Sequence, residues 1–214
     1  MIAVVDYKAG NLASVLKALA AASAMQSHEA SLGSNDKDLR VTDDPDIIRK
    51  ADKIVLPGVG HFAATQHLRE RGIEAAIRER VGPGSGPGVP FLGICVGLQW
   101  LFAGSTEAPE VPGFGAFEGN CTRFDTLGLK CPHVGWNALH IAAPTPLTVG
   151  LRNGEHVYFT HSYRAPLVPC TTATCTYGGD FTAIVERDNI MGAQFHPEKS
   201  GAAGLQLLAN FMRL

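Results

Sequence analysis

Apolar residues fall in three short runs, each followed by turn-forming residues and then by apolar positions at helical spacing. Ile2–Val5 is a largely β-branched run that passes into Asp6-Tyr7-Lys8-Ala9-Gly10-Asn11, after which Leu12, Val15, Leu16 and Leu19 recur at the helical period. Ile54-Val55-Leu56 runs into Pro57-Gly58-Val59-Gly60, and residues 61–80 have helical composition broken at Gly72. The third unit begins at Val89: Phe91-Leu92-Gly93-Ile94 reads as a buried strand ending at Cys95, with Leu98, Leu101 and Phe102 marking an apolar helix face behind it. Repeated strand, turn and helix predict an α/β domain with an open, largely parallel central sheet flanked by helices. From about Phe114 to Glu186 the pattern changes to short pieces such as Val157–Thr160 and Phe181–Val185 between Gly, Pro and Asn, which predicts antiparallel additions to that sheet. Leu205, Leu208, Phe211 and Met212 share one face of a terminal helix that is expected to pack on it.

A chain of 214 residues suits one domain, and no composition shift divides it, so residues 1–214 are expected to fold as a single unit. With 45% hydrophobic and 18% charged residues it can bury a substantial core. A net charge of −2 leaves no basic excess for a phosphate backbone, which argues against nucleic acid as a partner. The five cysteines, odd in number and widely spaced, suggest neither a disulfide framework nor a zinc site and fit a reducing cytoplasm. No basic leader precedes an apolar stretch at the start, and no run approaches the roughly 18 apolar residues of a membrane span, so secretion and membrane insertion are not expected. The Gly/Pro-rich stretch within residues 82–90 lies inside the alternating pattern and reads as a surface loop of unassigned role.

Chemistry concentrates at Gly93-Ile94-Cys95-Val96-Gly97, a G-x-C-x-G in which a strand turns abruptly into a helix. This is the nucleophile-elbow pattern with sulfur in place of oxygen. Flanking glycines allow the close backbone approach that the turn demands, and the helix start favours a thiolate and offers N–H groups to an oxyanion. A small buried cysteine between two packing glycines would give the same pentapeptide. The segment Gln194-Phe195-His196-Pro197-Glu198 supplies a base: on extended backbone, residues two apart project together, so Glu198 can orient His196, and Pro197 keeps His196 extended. The alternative is a strand end with two solvated side chains. Pro57-Gly58-Val59-Gly60 would lie at the same carboxyl edge of the sheet, where uncovered N–H groups can serve an oxyanion.

Gly93–Gln99 together with His196-Pro197-Glu198 resembles the class I, triad-type glutamine amidotransferases. Asp6–Leu12, Leu56–Gly60, Pro132-His133-Val134-Gly135-Trp136-Asn137, Tyr158–Tyr163 and His196–Ser200 narrow the likeness to the glutaminase subunits of imidazole glycerol phosphate synthase, from the first residue to the last. The resemblance implies Cys95 as nucleophile, His196 as general base and then acid, and Glu198 as its partner. It implies an oxyanion hole from the Val96 N–H with a group from the Gly58-Val59 turn, and glutamine contacts at Gly60, Gln99, Glu107, Ser162 and Tyr163. A docked (β/α)₈ cyclase subunit would receive the ammonia, with Asn11, Trp136 and Lys199 near the docking face. It also implies a glutaminase nearly silent until that partner and its ligand are present. Glutamine hydrolysis through a thioester calls for no metal and no organic cofactor.

The likeness has departures. The loop before the nucleophile strand is longer and richer in Gly and Pro than is usual, Val96 and Leu98 stand where Leu and Met are common, and Cys131 replaces a usual aliphatic residue. Cys121, Cys170 and Cys175 lack an elbow or base and read as packing residues. Competing readings are a glutaminase of the same fold serving another synthase, a non-catalytic regulatory module, and a free-standing cysteine hydrolase.

Overall fold

The structure, a computed structural model, describes residues 1–8, 11–27, 39–82, 88–125, 128–142 and 144–214. Ala9 and Gly10 of the first turn and residues 83–87 of the Gly/Pro-rich loop lie outside the described residues. The strands are β1 (Ile2–Val5), β2 (Leu39–Thr42), β3 (Lys53–Gly58), β4 (Phe91–Cys95), β5 (Gly104–Ser105), β6 (Asn120–Arg123), β7 (His133–Ala138), β8 (His140–Ile141), β9 (His156–His161), β10 (Tyr163–Arg164), β11 (Thr171–Thr176), β12 (Asp180–Arg187) and β13 (Ile190–Ala193). The helices are α1 (Leu12–Ser27), α2 (Pro45–Ile48), α3 (Gln66–Glu70), α4 (Ile73–Val81), α5 (Val96–Trp100) and α6 (Gly201–Arg213).

Eight strands form the main sheet in the order β2-β1-β3-β4-β13-β12-β11-β8. The first five run parallel, and β12, β11 and β8 extend the sheet by antiparallel pairing. Strands β1, β3 and β4 are apolar almost throughout and buried along their whole length, as parallel strands covered on both faces must be. Helix α1 buries Val15, Leu19 and Ala22 and packs on α6, which buries Leu207, Leu208, Phe211 and Met212.

Two expectations need correction. The antiparallel pieces do not all join the main sheet: β7 and β9 pair only with each other, and β5, β6 and β10 form a small third sheet. Helix α5 is also shorter than the spacing of Leu98, Leu101 and Phe102 implies; it ends at Trp100 and is buried on every side, so no polar face exists to reveal its period.

Candidate active site

Four neighbouring parallel strands deliver the site from their carboxyl ends. β1 leads to Tyr7, β3 ends at Gly58, β4 ends at Cys95, and β13 leads to Gln194 and His196. Gly58 stands directly beside Cys95 in the β3–β4 register, and Ala193 beside Ile94 in the β13–β4 register. Cys95 adopts φ 55° and ψ −106°, a backbone state that L residues rarely hold and that costs on the order of 1–3 kcal/mol. Close packing enforces it: a Cβ on Gly97 would run into the Leu56 carbonyl, and one on Gly93 into the Gly97 carbonyl. The elbow therefore holds Cys95 at the junction of β4 and α5.

His196 is fixed by its backbone. Its N–H donates to the Tyr158 carbonyl at 2.9 Å, and its own carbonyl accepts from Ser200 Oγ at 2.6 Å. Nδ1 of His196 lies 2.8 Å from Glu198 Oε1, with both side chains 2% exposed, which rules out a solvated strand end. The pairing arises differently from the strand alternation expected. His196 is extended (φ −95°, ψ 98°), but Pro197–Lys199 forms a 3₁₀ turn, and it is this turn that folds Glu198 back onto the imidazole. Burial opposes protonation of His196, yet the Cys95 sulfur and the Glu198 carboxylate outweigh it and push the imidazole up to about 10. The other ring nitrogen, Nε2, has no hydrogen bond among the described residues and is the atom free to exchange a proton.

Cys95 opens onto a cavity of about 290 Å³ lined by Val59, Gly60, Val96, Gln99, Glu107, Pro132, Thr160, His161, Ser162 and Tyr163. Every glutamine contact suggested by the resemblance thus lines the same cavity as Cys95. Gly58, His196 and the Glu198 side chain are buried and do not line the cavity. Gln99 is 2% exposed, not a helix-surface glutamine, and its Nε2 donates to the Tyr163 carbonyl at 2.8 Å and to Gln194 Oε1 at 3.2 Å. Glu107 accepts the Phe62 N–H at 2.8 Å through Oε2, which anchors the carboxylate at the cavity wall. A larger cavity, about 720 Å³, lies near Arg78, Phe114 and Arg187 at the amino ends of β4 and β13. It contains none of the chemistry, so size is the poorer guide here.

Two neighbours of the sulfur carry no mark in the sequence pattern. Gln194 Nε2 donates to Cys95 Sγ at 3.7 Å, and Gln194 is fully buried. Tyr7 is also buried; its hydroxyl has no hydrogen-bond partner among the described residues, and burial followed by the charge of Cys95 pushes its pKa up. A Cβ on Gly58 would collide with that hydroxyl. A glutamine two residues before His196 is the only hint of the first, and nothing local signals the second.

The three residues assigned to a docking face are exposed. Trp136 is 56% exposed and meets the Tyr158 ring edge-on at 6.0 Å, while Lys199 Nζ lies 5.7 Å from the same ring, so both share one surface. Asn11 immediately precedes α1, its Oδ1 accepting the Ser14 N–H at 3.4 Å, and α1 packs against the Pro197–Lys199 turn. Among the described residues all five cysteines are free, and no group of three or more ligating side chains comes together for a metal.

Comparison with known proteins adds the lineage. The family model described as glutamine amidotransferase class-I matches residues 3–214. The imidazole glycerol phosphate synthase subunit HisH of Thermococcus kodakarensis is 43% identical, with all of both chains covered. That of Caulobacter vibrioides is 42% identical over 99% of this chain and 97% of its own. Among solved structures, a glutamine amidotransferase superposes with TM-score 0.70 at 20% identity, covering 100% of this chain and 98% of that one. PurLQS of Thermotoga maritima gives 0.63 at 18% identity, covering 99% and 97%. At such identities these two establish the fold.

Proposed function

The chain belongs to the class-I glutamine amidotransferases and, among them, to the HisH subunits of imidazole glycerol phosphate synthase, and from that premise we propose how its residues divide the work. The whole chain acts as one glutaminase domain. Glutamine lies in the cavity beside Cys95, its ammonium toward Glu107 and its length along Gly60, Gln99, Ser162 and Tyr163. The Cys95 thiolate adds to the side-chain amide carbon. The negative charge that develops on the amide oxygen is met by the Val96 N–H and a group from the Gly58-Val59 turn. His196 passes its proton to the departing nitrogen, ammonia leaves, and a γ-glutamyl thioester remains. Neutral His196 then takes a proton from water, whose oxygen adds to the thioester; glutamate departs, the thiol is regenerated, and glutamine plus water have become glutamate plus ammonia.

The observation that carries this reading is the dry His196–Glu198 pair, 2.8 Å apart, together with Cys95 on the wall of a cavity. Ammonia released into water at neutral pH is protonated and no longer nucleophilic, so it passes instead to a docked (β/α)₈ cyclase subunit, the enzyme that makes imidazole glycerol phosphate and an aminoimidazole carboxamide ribotide for histidine biosynthesis. Trp136, Lys199 and Asn11 mark the docking face. The reaction runs in the cytoplasm, where a reactive thiol stays reduced. Neither metal nor organic cofactor enters any step. Glutamate and ammonia release, measured with and without the cyclase subunit and its nucleotide ligand, tests the assignment. Release that rises with the cyclase is the expected result, and a chain inert toward glutamine in its presence would overturn it.

A further inference from the structure

A line of hydrogen bonds, buried at its centre, runs from β7 to the cavity. Asn137 Nδ2 lies 3.4 Å from His133 Nε2, His133 Nδ1 lies 3.0 Å from His161 Nε2, and His161 Nδ1 lies 2.8 Å from the Tyr163 carbonyl. The protons along this line have one arrangement. Asn137 Oδ1 accepts the Ala138 N–H at 2.8 Å, which fixes the amide so that Nδ2 faces the imidazole as a donor. His133 therefore accepts at Nε2 and donates from Nδ1; His161 accepts at Nε2 and donates from Nδ1 to a carbonyl that can only accept. Both rings are neutral in this arrangement, and burial agrees, pushing His133 down to about 4 and His161 down to about 3.

The line ends where substrate chemistry begins. The Tyr163 carbonyl also accepts from Gln99 Nε2 at 2.8 Å, and Tyr163, His161 and Gln99 all line the cavity next to Cys95. Packing alone does not call for imidazoles here. The His133 ring stacks on Phe159 at 4.8 Å and Tyr177 at 4.1 Å, and Phe124 meets His161 at 5.1 Å, so phenylalanine would suit these surroundings without the cost of burying polar groups. What the imidazoles add is direction: each hands on one N–H, and the last N–H holds a carbonyl on the cavity wall.

We propose that His133 and His161 are positioning residues for glutamine binding, a neutral two-imidazole relay that holds the Tyr163 carbonyl, and with it Gln99, where the substrate needs them. The inference rests on the reading that this cavity binds glutamine. All four ring nitrogens are spent within the line, so the relay acts on substrate affinity and not on the thiolate.

The test is steady-state glutamine hydrolysis by the complex with the cyclase subunit and its nucleotide ligand, for wild type, His133→Phe and His133→Asn. Phenylalanine keeps the stacking and removes the donor; asparagine restores a donor near the place of Nδ1. His133→Phe should raise KM for glutamine about 2- to 10-fold, the effect of one lost hydrogen bond, with kcat within about twofold of wild type. His133→Asn should bring KM back to within about twofold. Alkylation of Cys95 by iodoacetamide, which needs no glutamine pocket, should proceed at the wild-type rate in both variants. An unchanged KM in a folded His133→Phe variant, a fall in kcat without a rise in KM, or no recovery in the asparagine variant would overturn the relay. If phenylalanine prevents folding, His133→Leu is read against the same asparagine control. No glutamine turnover by the wild-type complex would overturn the reading of the cavity and the relay with it.

Discussion

Replacing Glu198 by glutamine removes one charge and nearly preserves shape. The contact at stake is the 2.8 Å bond from His196 Nδ1 to Glu198 Oε1, with both side chains 2% exposed and hence little screened by water. A hydrogen bond to a charged group contributes about 1.5–3 kcal/mol. At about 1.4 kcal/mol per factor of ten, kcat/KM for glutamine should fall about 10- to 150-fold, while His196→Ala, which removes the proton carrier itself, should approach complete loss. A second readout is the titration of His196. Burial lowers its pKa, and Cys95 with Glu198 raises it to about 10, so Glu198→Gln must bring it down. A folded-state value above the ordinary 6.5 stabilises the fold fully below about pH 6.5, and that contribution is lost as pH rises through about 10. In the variant the loss should begin at lower pH. Glutamate release across a range of glutamine concentrations, paired with an NMR titration of the His196 ring, measures both effects. Wild-type activity with an unmoved titration would refute the pairing, and a variant more damaged than folded His196→Ala would refute the orienting role.

Gly58→Ala puts a methyl group against the Tyr7 hydroxyl and 2.9 Å from Val96 Cβ, so glutaminase activity and thermal stability should both fall, by about 1–3 kcal/mol in the latter, and Tyr7→Phe should recover part of each; equal behaviour of Gly58→Ala and wild type would sink this packing account. The isolated chain should hydrolyse glutamine slowly and gain about 10²- to 10³-fold with the cyclase partner and its nucleotide ligand, the range of one oxyanion donor. Full turnover without the partner would remove the gating idea and leave the triad untouched. Trp136→Ala should weaken cyclase binding by about 2 kcal/mol or more, as large exposed aromatics at docking faces do, read by calorimetry, and an unchanged Kd would place the interface elsewhere.

The parallel strands and the elbow at Cys95 were legible because each has a local signature. A buried strand closed by G-x-C-x-G announces the strain at Cys95, and apolar runs ending in turns announce parallel strands whose carboxyl ends converge. The nearness of His196 and Glu198 was legible too, though a 3₁₀ turn and not strand alternation produces it. Other parts depend on distant residues and leave no local trace. Gln194 meets Cys95 across 99 positions, His133 meets His161 across 28, and Tyr7 reaches Gly58 only because β1 and β3 are neighbours. The separate β7–β9 ribbon was hidden for a related reason: its alternation of buried and exposed residues resembles that of any edge strand, and pairing partners are set by tertiary packing.

The central claim is that this chain makes ammonia from glutamine with Cys95 and gives it to a cyclase. Formation of imidazole glycerol phosphate by the complex tests it most directly, with either glutamine or an ammonium salt as nitrogen source, for wild type and Cys95→Ala. The account predicts that the variant loses synthesis from glutamine and keeps synthesis from ammonium at the wild-type rate. Glutamine-dependent synthesis that persists in Cys95→Ala would contradict it.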